Sequence, residues 1–251
     1  MDIAQTFYDS LASHYDKLFM DWNAATHEQA VILDRIFQSN GFDRCASVLD
    51  CACGIGTQSI GLAGLGYSVT ASDISDSELT EAAKRAAEHG VEIRFEHADF
   101  CALDAAFREI FDIIICMDNA LPHMLSHAAL ESAIRSIADR IRDGGIFVAS
   151  IRDYDALLAD KPPYAPPYIH KTVDGQRVSF QTWVWEGDHY KLIQYIIEDG
   201  KNLEISKFAC EYRATRRAEI TDLLLAEGFG EVKWLFPEDS GFYQPIVVAR
   251  K

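Results

Sequence analysis

The segment SVLDCACGIGTQSIGLA, residues 47–63, decides the fold. It runs from apolar residues through Asp50 to two spaced glycines, Gly54 and Gly56, and then into small and short aliphatic residues. Glycine permits a tight turn and lets a ligand approach the backbone closely. The segment therefore predicts a buried strand that turns into a helix at the ligand-binding edge of a sheet.

The composition is that of one substantial folded domain. A chain of 251 residues, 49% of them hydrophobic and 25% charged, can bury one large core. Its 39 acidic and 23 basic residues give a net charge of −16, which repels phosphate backbones and anionic lipid surfaces. The amino terminus lacks a basic segment followed by an apolar one, and no apolar run reaches the length of about 18 residues that a spanning helix needs. We expect a cytoplasmic protein with a small-molecule substrate and no nucleic-acid or membrane partner.

The cysteines predict neither a disulfide framework nor a metal site. Five of the six lie beside apolar or small residues and are expected to be buried thiols in a reducing compartment: Cys51, Cys53, Cys101, Cys116 and Cys210. Cys51 and Cys53 are one residue apart, but no second pair at metal-ligand spacing accompanies them. No metal is therefore predicted.

Strand and helix signals alternate through the first part of the chain. The β-rich runs are residues 47–51, 67–73, 91–99, 111–118 and 145–153. Helical segments separate them, one with Ser75 or Asp76 as its cap and one expected to stop at Gly144 and Gly145. This rhythm predicts a parallel sheet with helices on both faces.

The flanking segments have different textures. Residues 2–40 predict two helices, whose aromatic residues we interpret as a packing stripe. After a proline-rich loop, residues up to 213 alternate strongly, with turn signals at 186–188 and 199–200, and predict an antiparallel meander. A helix, a strand and a final apolar strand follow.

Acids at the ends of three successive strands indicate which ligand binds. Asp50 suits a cationic amine, Asp73 can accept hydrogen bonds from two ribose hydroxyls, and Asp99 can accept from the exocyclic amine of adenine. A dinucleotide is disfavoured, since Asp50 would repel a pyrophosphate and Ser59 stands where the third glycine of G-x-G-x-x-G is expected. An amino acid end, a ribose and an adenine together describe S-adenosylmethionine.

The same residues carry a resemblance to a known family. VLDCACGIGT, VTASDIS and HADF resemble, in order, the first three motifs of class I S-adenosylmethionine-dependent methyltransferases. The resemblance implies an α/β, Rossmann-like fold: a mostly parallel seven-stranded sheet with helices on both faces and an antiparallel β-meander insertion. It implies S-adenosylmethionine as cofactor and S-adenosylhomocysteine as product. The cofactor-binding candidates are Tyr15, Asp50, Ala52, Gly54, Gly56, Asp73, Ile74, Ala98, Asp99, Phe100 and Met117.

Within that family the chain is most similar to the glycine N-methyltransferases. DNALPHML and GIFVASIRDYDALL resemble two of their segments and match Asn119, His123 and Arg152. The resemblance implies that Arg152 holds a substrate carboxylate, that Asn119 lies near the amine and that His123 belongs to the catalytic site. Asp118 departs from the pattern, because the family has glycine there. The acceptor implied is glycine, sarcosine or a related amino carboxylate.

These expectations divide the chain into three parts. Residues 1–44 form a helical lid, residues 45–155 and 214–251 form the S-adenosylmethionine-binding domain, and residues 156–213 form a β insertion that covers the substrate site. Three alternative functions stay open at this point: methylation of another small-molecule acceptor at oxygen or carbon, nicotinamide-dependent oxidoreduction on a Rossmann sheet, and non-catalytic binding of S-adenosylmethionine or of a partner.

Each candidate residue also has a purely structural interpretation. Asp50 and Asp73 would then be helix caps or solvated strand ends, and Asp99 would cap the following turn. His123 would be a satisfied loop histidine. Arg152 would be a surface arginine paired with a neighbouring aspartate, either Asp153 or Asp155.

Overall fold

The amino-terminal segment is helical, as the sequence predicts. The computed structural model describes residues 3–251, so the first residue of the predicted helical segment, residue 2, lies outside the described part. Helix α1 spans Ile3–Leu11, a 3-10 helix follows over Ala12–Leu18, and α2 spans Trp22–Ser39. The Asp21 side chain accepts a hydrogen bond from Ala24 N and so caps α2.

Eleven strands, six further α-helices and two 3-10 helices, Phe100–Ala105 and Leu121–His123, follow within the described residues. The strands are β1 Ser47–Asp50, β2 Ser68–Asp73, β3 Arg94–His97, β4 Phe111–Cys116, β5 Ile141–Ser150, β6 Tyr168–Thr172, β7 Gly175–Glu186, β8 His189–Asp199, β9 Leu203–Arg213, β10 Glu231–Leu235 and β11 Ile246–Arg250. The helices are α3 Thr57–Gly64, α4 Asp76–Glu88, α5 His127–Ala138, α6 Tyr154–Asp160, α7 Arg217–Ala226 and α8 Pro237–Ser240.

Seven strands form the main sheet in the order β10-β11-β5-β4-β1-β2-β3. Neighbouring strands pair in parallel, except that β11 runs antiparallel to both β5 and β10. The predicted mostly parallel seven-stranded sheet is confirmed. The strand order reverses between β1 and β4, and ligands of open α/β sheets bind at the carboxyl ends of the strands beside such a reversal.

The two faces of the sheet bury two separate apolar clusters. Alternation along β4 sends Ile114 into one cluster and Ile113 and Ile115 into the other, as the period of two in a strand requires. Helix α2 packs closely on α3 at Gly61, where a Cβ would lie 2.6 Å from the Cβ of Ala30. Helices therefore cover both faces, as predicted.

The start of β5 differs from the prediction. Gly144 and Gly145 were expected to end the preceding helix, but α5 already ends at Ala138 and both glycines lie within β5. Gly144 adopts a φ of +75°, which glycine tolerates without strain. The pairing of β5 with β4 shifts register between Phe111 and Ile113. The glycine pair therefore belongs to an irregularity at the start of the strand, which sequence alone does not distinguish from a helix stop.

The predicted meander is a four-stranded antiparallel sheet in the order β6-β7-β8-β9. The turn signals at 186–188 and 199–200 separate β7 from β8 and β8 from β9, as expected. Its inner face contributes Trp183, Tyr190 and Tyr212 to the same buried cluster as Phe7 and Leu11 of α1. The meander therefore packs against the main core. Within residues 3–251, the helices are too short or too polar to cross a membrane.

Candidate active site

A cavity of about 610 Å³ opens at the carboxyl edge of the main sheet. Its walls come from α1, from the 3-10 helix after it and from the loops that follow β1, β2, β3 and β4. Ten of the residues singled out in the sequence line it: Tyr15, Ala52, Gly54, Asp73, Ile74, Ala98, Asp99, Phe100, Met117 and His123. A volume of this size is typical of pockets that hold a small organic molecule.

The loop after β1 is tied to the end of β2. Gly54 adopts a φ of +52°, and its N–H donates to Oδ2 of Asp73 at 2.9 Å. Oδ1 of Asp73 accepts from Ser75 N at 3.0 Å. Burial raises the pKa of Asp73, and these backbone bonds oppose the rise. Asp73 therefore faces the cavity in a fixed orientation and keeps lone pairs for further donors.

Gly56 shapes the loop from outside the cavity lining. It precedes α3 with a φ of +87°, and a Cβ there would lie 3.0 Å from the Cδ1 of Ile60. Any side chain at this position is therefore strained by the backbone and crowded by its own helix. The role of Gly56 in cofactor binding stays a prediction. Gly56 would act indirectly, through the conformation of the loop.

Asp50 does not line the cavity. Its side chain is fully buried and accepts a hydrogen bond from Ser59 Oγ of α3 at 2.6 Å. Burial raises the pKa of Asp50 to about 7, with Ser59 opposing the rise. Ser59, noted in the sequence as the missing third glycine, is therefore the partner of this acid. The structure places Asp50 under α3 and away from the cavity surface.

The residues after β3 form the far wall of the cavity. Ala98 N donates to Asp73 O at 3.1 Å, so the chain stays beside β2 as it leaves the strand. Asp99 caps the following 3-10 helix by accepting from Cys101 N at 2.8 Å, and it also lines the cavity. The capping interpretation and the ligand interpretation of Asp99 are compatible, because a carboxylate has several acceptor positions.

Asp118 is a cavity residue whose role sequence reasoning missed. It follows β4 with a φ of +54°, and its carboxylate accepts from Gln58 Nε2 at 2.8 Å and from Tyr243 Oη at 2.7 Å. Gln58 lines the cavity as well. Burial raises the pKa of Asp118. The available signal was its departure from the glycine of the family pattern.

Two tyrosines of the amino-terminal helices also reach the cavity. Tyr15 lines it as predicted, whereas Tyr8 was interpreted as part of a packing stripe and also lines it. The Oη of Tyr8 lies 2.9 Å from Nε2 of His123, and the ring of Tyr212 packs 4.2 Å from the His123 ring. His123 is therefore a cavity residue that links α1 to β9.

Arg152 is enclosed by neutral and aromatic groups. Its guanidinium donates to Tyr190 Oη at 2.8 Å and to Gln181 Oε1 at 3.0 Å. It lies 5.1 Å from the Trp183 ring and 5.6 Å from the Tyr212 ring. Arg152 is outside the cavity lining, and Tyr212, which packs on both Arg152 and His123, connects it to the cavity.

The surface-arginine interpretation of Arg152 is wrong. Asp153 pairs with Arg217, and Asp155 pairs with Arg216 and Arg217. Arg152 instead points toward the insertion, as its bonds to Gln181 and Tyr190 require.

Asn119 supports Arg152 from the neighbouring loop. Its Oδ1 accepts from Arg152 N at 3.1 Å and from Tyr154 Oη at 2.9 Å. Its Nδ2 is buried and has no hydrogen-bond partner within residues 3–251. Asn119 also has a positive φ of 71°, so residues 118 and 119 form a left-handed turn. Asn119 does not line the cavity, although both of its sequence neighbours do.

The cavity wall is acidic. Among the described residues that line it there is no lysine or arginine, whereas Asp73, Asp99, Asp118 and Glu211 all contribute to it. Such a wall favours a cationic ligand and repels a pyrophosphate. The residues therefore fit S-adenosylmethionine, which carries a sulfonium and an ammonium group. Within residues 3–251 no three histidine, cysteine or acidic side chains lie close enough to hold a metal ion.

The cysteines divide by depth. Cys51, Cys53, Cys116 and Cys210 are buried thiols, whereas Cys101 is partly exposed at the cavity wall. Cys101 was expected to be buried, and it departs from that expectation because it lies in the 3-10 helix after β3, Phe100–Ala105, at the wall of the cavity.

Comparisons with known proteins agree with the fold and the cavity. Residues 48–145 match the family model described as a methyltransferase domain. The glycine N-methyltransferase of Oryctolagus cuniculus is 29% identical over 261 residues, which cover 95% of this chain and 87% of that protein.

Two solved structures have the same fold. A methyltransferase from Clostridium acetobutylicum, described as S-adenosylmethionine-dependent, superposes with a TM-score of 0.76 at 18% identity and covers 97% of this chain and 98% of its own. An amino pentose methyltransferase from Micromonospora echinaspora, solved with S-adenosylmethionine bound, has a TM-score of 0.76 at 16% identity and covers 90% of this chain and 91% of its own.

Fold, cavity and comparisons together define the chain as a class I S-adenosylmethionine-dependent methyltransferase. Its sequence is similar to the glycine N-methyltransferases over nearly its whole length. The nicotinamide oxidoreductase alternative is therefore wrong. Both kinds of enzyme use such a sheet, and the acids that line this cavity, Asp73, Asp99 and Asp118, disfavour the pyrophosphate of a nicotinamide cofactor.

Proposed function

We propose that this methyltransferase acts on the nitrogen of a small amino carboxylate such as glycine or sarcosine. Arg152 carries the proposal. Its guanidinium is held by Gln181 and Tyr190, both neutral, and no carboxylate within residues 3–251 bonds to it. A planar guanidinium enclosed by aromatic rings suits bidentate binding of a carboxylate. The name of the rabbit relative, a glycine N-methyltransferase, supports the same acceptor class.

Asn119 supplies a second hydrogen-bond donor for the substrate that accepts the methyl group. Its Nδ2 is unpartnered within the described residues, while its Oδ1 is fixed by Arg152 N and Tyr154 Oη. A buried amide donor without a partner is costly, so a ligand oxygen at this position would stabilise the site. We assign Arg152 and Asn119 to the carboxylate and amine end of the acceptor.

The cofactor end of the site follows the strand order. Asp73, at the end of β2, would accept from the ribose hydroxyls, and Asp99, after β3, would accept from the adenine amine. Ile74, Ala98 and Phe100 would pack against the adenosine. Tyr15, Ala52, Gly54 and Met117 would surround the methionine end, and Gly56 and Asp50 would hold the loop and α3 in position.

The main contribution of the protein to the reaction would be to orient the reactants. The cofactor, when bound, supplies a methyl carbon already activated by its sulfonium. Arg152 and Asn119 would hold the acceptor so that its neutral amine points along the line of transfer, which removes orientational entropy from the reaction step. His123, whose Nε2 lies at Tyr8 Oη, would position that tyrosine at the cavity wall. No side chain need act as a strong base, because the attacking amine is neutral.

Water exclusion would come from the two segments that flank the cavity. Lys17 pairs with Glu198 at 2.6 Å, and Arg177 donates to Phe19 O at 2.9 Å, so the amino-terminal segment and the insertion contact each other. We assign residues 1–44 and 156–213 to covering layers and residues 45–155 with 214–251 to the cofactor-binding domain. Closure over the reactants would strengthen the electrostatic contacts inside.

A matched acceptor series tests the proposal. The purified protein is incubated with S-adenosylmethionine and glycine, sarcosine, glycinamide, ethanolamine or an amino sugar, and S-adenosylhomocysteine formation is measured. Glycine and sarcosine should turn over, whereas glycinamide, ethanolamine and the amino sugar, which lack a carboxylate, should not. Equal rates with glycine and glycinamide, or turnover of the amino sugar alone, would overturn the assignment.

A further inference from the structure

Asp118 is the acid that faces the cavity at the carboxyl end of β4. It lines the cavity and is half-buried. Its carboxylate accepts hydrogen bonds from Gln58 Nε2 and Tyr243 Oη, and both donors are neutral. The backbone is fixed as well, because Asp118 N donates to Ser150 Oγ at 2.8 Å. The carboxylate is therefore held rigidly in one direction.

The charge of Asp118 is not balanced by the protein. Within residues 3–251, no salt bridge includes Asp118, and the cavity lining contains no lysine or arginine. A carboxylate that is partly removed from water is costly unless a cation pairs with it. Two neutral donors fill only part of its acceptor capacity. The arrangement is thus complete only when a ligand brings a cation.

The strand order shows which part of the cofactor lies at this position. The sheet edge runs β3, β2, β1, β4, and the first two of these strands present Asp99 and Asp73, which suit adenine and ribose. The methionine end of an extended cofactor then lies at β1 and β4. Its ammonium needs an acceptor there, and Asp50 of β1 is excluded because it points under α3 to Ser59.

We propose that Asp118 binds the α-ammonium group of the methionine moiety of S-adenosylmethionine, with Gln58 and Tyr243 orienting its carboxylate. The sequence analysis assigned the cationic amine to Asp50, at the end of β1. Asp118, in the loop after β4, takes that role instead. Asp118 is then a cofactor-binding residue that determines how strongly the protein distinguishes a complete cofactor from an adenosine compound without the amino acid end.

Two ligands test this without any acceptor. Calorimetry measures the Kd of S-adenosylhomocysteine and of 5′-methylthioadenosine, which shares the thioether and adenosine but lacks the amino acid group. In Asp118→Asn, which keeps the shape and removes the charge, the preference for S-adenosylhomocysteine over 5′-methylthioadenosine should fall by at least about tenfold. The affinity for 5′-methylthioadenosine should change by less than about twofold, and that value also reports that the site is folded.

A control separates a direct contact from the general field of the cavity. Glu211→Gln removes another carboxylate charge from the wall, and the preference should stay within about twofold of the wild-type value. If Asp118→Asn does not fold, Asp118→Gly replaces it, because glycine suits the φ of +54°.

Three results would overturn the assignment. They are a preference that falls by less than about tenfold, an equal loss of affinity for both ligands, and an equal effect of Glu211→Gln. Because no acceptor is present, a failure here leaves the acceptor assignment untouched, and a failure of the acceptor series leaves this result standing.

Discussion

The backbone N–H of Gly54 donates to Oδ2 of Asp73 at 2.9 Å, and this bond joins the loop after β1 to the carboxyl end of β2. One carboxylate thereby shapes the glycine loop and faces the cavity at the same time. Any change at Asp73 acts on both, because the loop and the proposed ribose site share its oxygen atoms.

Asp73→Asn should weaken cofactor binding. The two carboxylate oxygens of Asp73 now accept hydrogen bonds from the backbone N–H groups of Gly54 and Ser75. Asparagine replaces one of these oxygens with an NH₂ group, so either Gly54 or Ser75 loses its hydrogen-bond acceptor. We expect the Kd of S-adenosylhomocysteine to rise at least about tenfold, measured by calorimetry. The exposed Asp76→Asn variant, three residues along the chain, should bind as the wild type does. Wild-type affinity in Asp73→Asn would contradict the assigned role.

Glu78→Met should raise the free energy of unfolding at neutral pH. Glu78 in the first turn of α4 is fully buried, neither carboxyl oxygen has a hydrogen-bond partner within residues 3–251, and burial raises its pKa well above the usual value. An apolar side chain of similar size removes that desolvation cost, which is on the order of 1–3 kcal/mol. Urea denaturation measures the gain, and the exposed Glu88→Met in the same helix is the control. A less stable Glu78→Met protein would show that Glu78 has a stabilising contact.

Asp50 should make the protein less stable as the pH rises. Its pKa in the folded protein is about 7 against 3.8 for the free group, so the folded state keeps a proton that the unfolded state has lost. The contribution is fully present below about pH 4 and is lost as the pH rises to about 7, up to about 4 kcal/mol at 1.36 kcal/mol per pKa unit. The difference in unfolding free energy between wild type and Asp50→Asn, measured from pH 4 to 8, should follow this curve. A constant difference across that range would mean that the pKa of Asp50 is not raised.

Arg152→Lys should not preserve activity. An ammonium cannot reproduce the planar fork that bonds Tyr190 and Gln181 and that would bind a carboxylate. We expect kcat/KM for glycine to fall by an amount that corresponds to a loss of about 2–5 kcal/mol of transition-state stabilisation. The Kd of S-adenosylhomocysteine should stay unchanged. Arg216→Lys, on the exposed start of α7, is the matched control. Wild-type activity in Arg152→Lys would contradict the proposal that Arg152 binds the carboxylate of the acceptor.

Much of the fold could be predicted from the sequence because it depends on local signals. Alternating strand and helix patterns give the sheet, and turn residues such as Gly187 and Gly200 mark the meander. Acids at strand ends could be assigned to one edge, because the carboxyl ends of parallel strands meet there. Asp73 and Asp99 were located in this way, and both line the cavity.

Side-chain direction at the strand ends depends on tertiary contacts and was harder to predict. Successive residues of β1 face opposite sides of the sheet, so Asp50 lies on the face that buries Val48 and not on the face of Leu49. There it accepts a hydrogen bond from Ser59 of α3. Asp118 faces the cavity because residues 118 and 119 form a left-handed turn. Aspartate and asparagine adopt a positive φ more often than most non-glycine residues but still uncommonly, so Asp118 and Asn119 were only a weak signal for this turn.

The proposed acceptor site combines elements far apart in the sequence. Arg152 meets Gln181 and Tyr190 of the insertion, and His123 meets Tyr8 of α1. These pairs depend on how the meander packs against the sheet, which hydrophobic periodicity does not specify. The family resemblance supplied Arg152, Asn119 and His123, whereas Tyr8, Gln58 and Asp118 emerged only from the structure.

Transfer of a labelled methyl group tests the central claim most directly. The protein is incubated with S-adenosylmethionine that carries a trideuteromethyl group and with glycine, and the product is fragmented in a mass spectrometer. The account predicts S-adenosylhomocysteine together with sarcosine that carries the label on nitrogen, and no labelled product from glycinamide. A label on oxygen or carbon, or no labelled product from glycine or sarcosine, would contradict it.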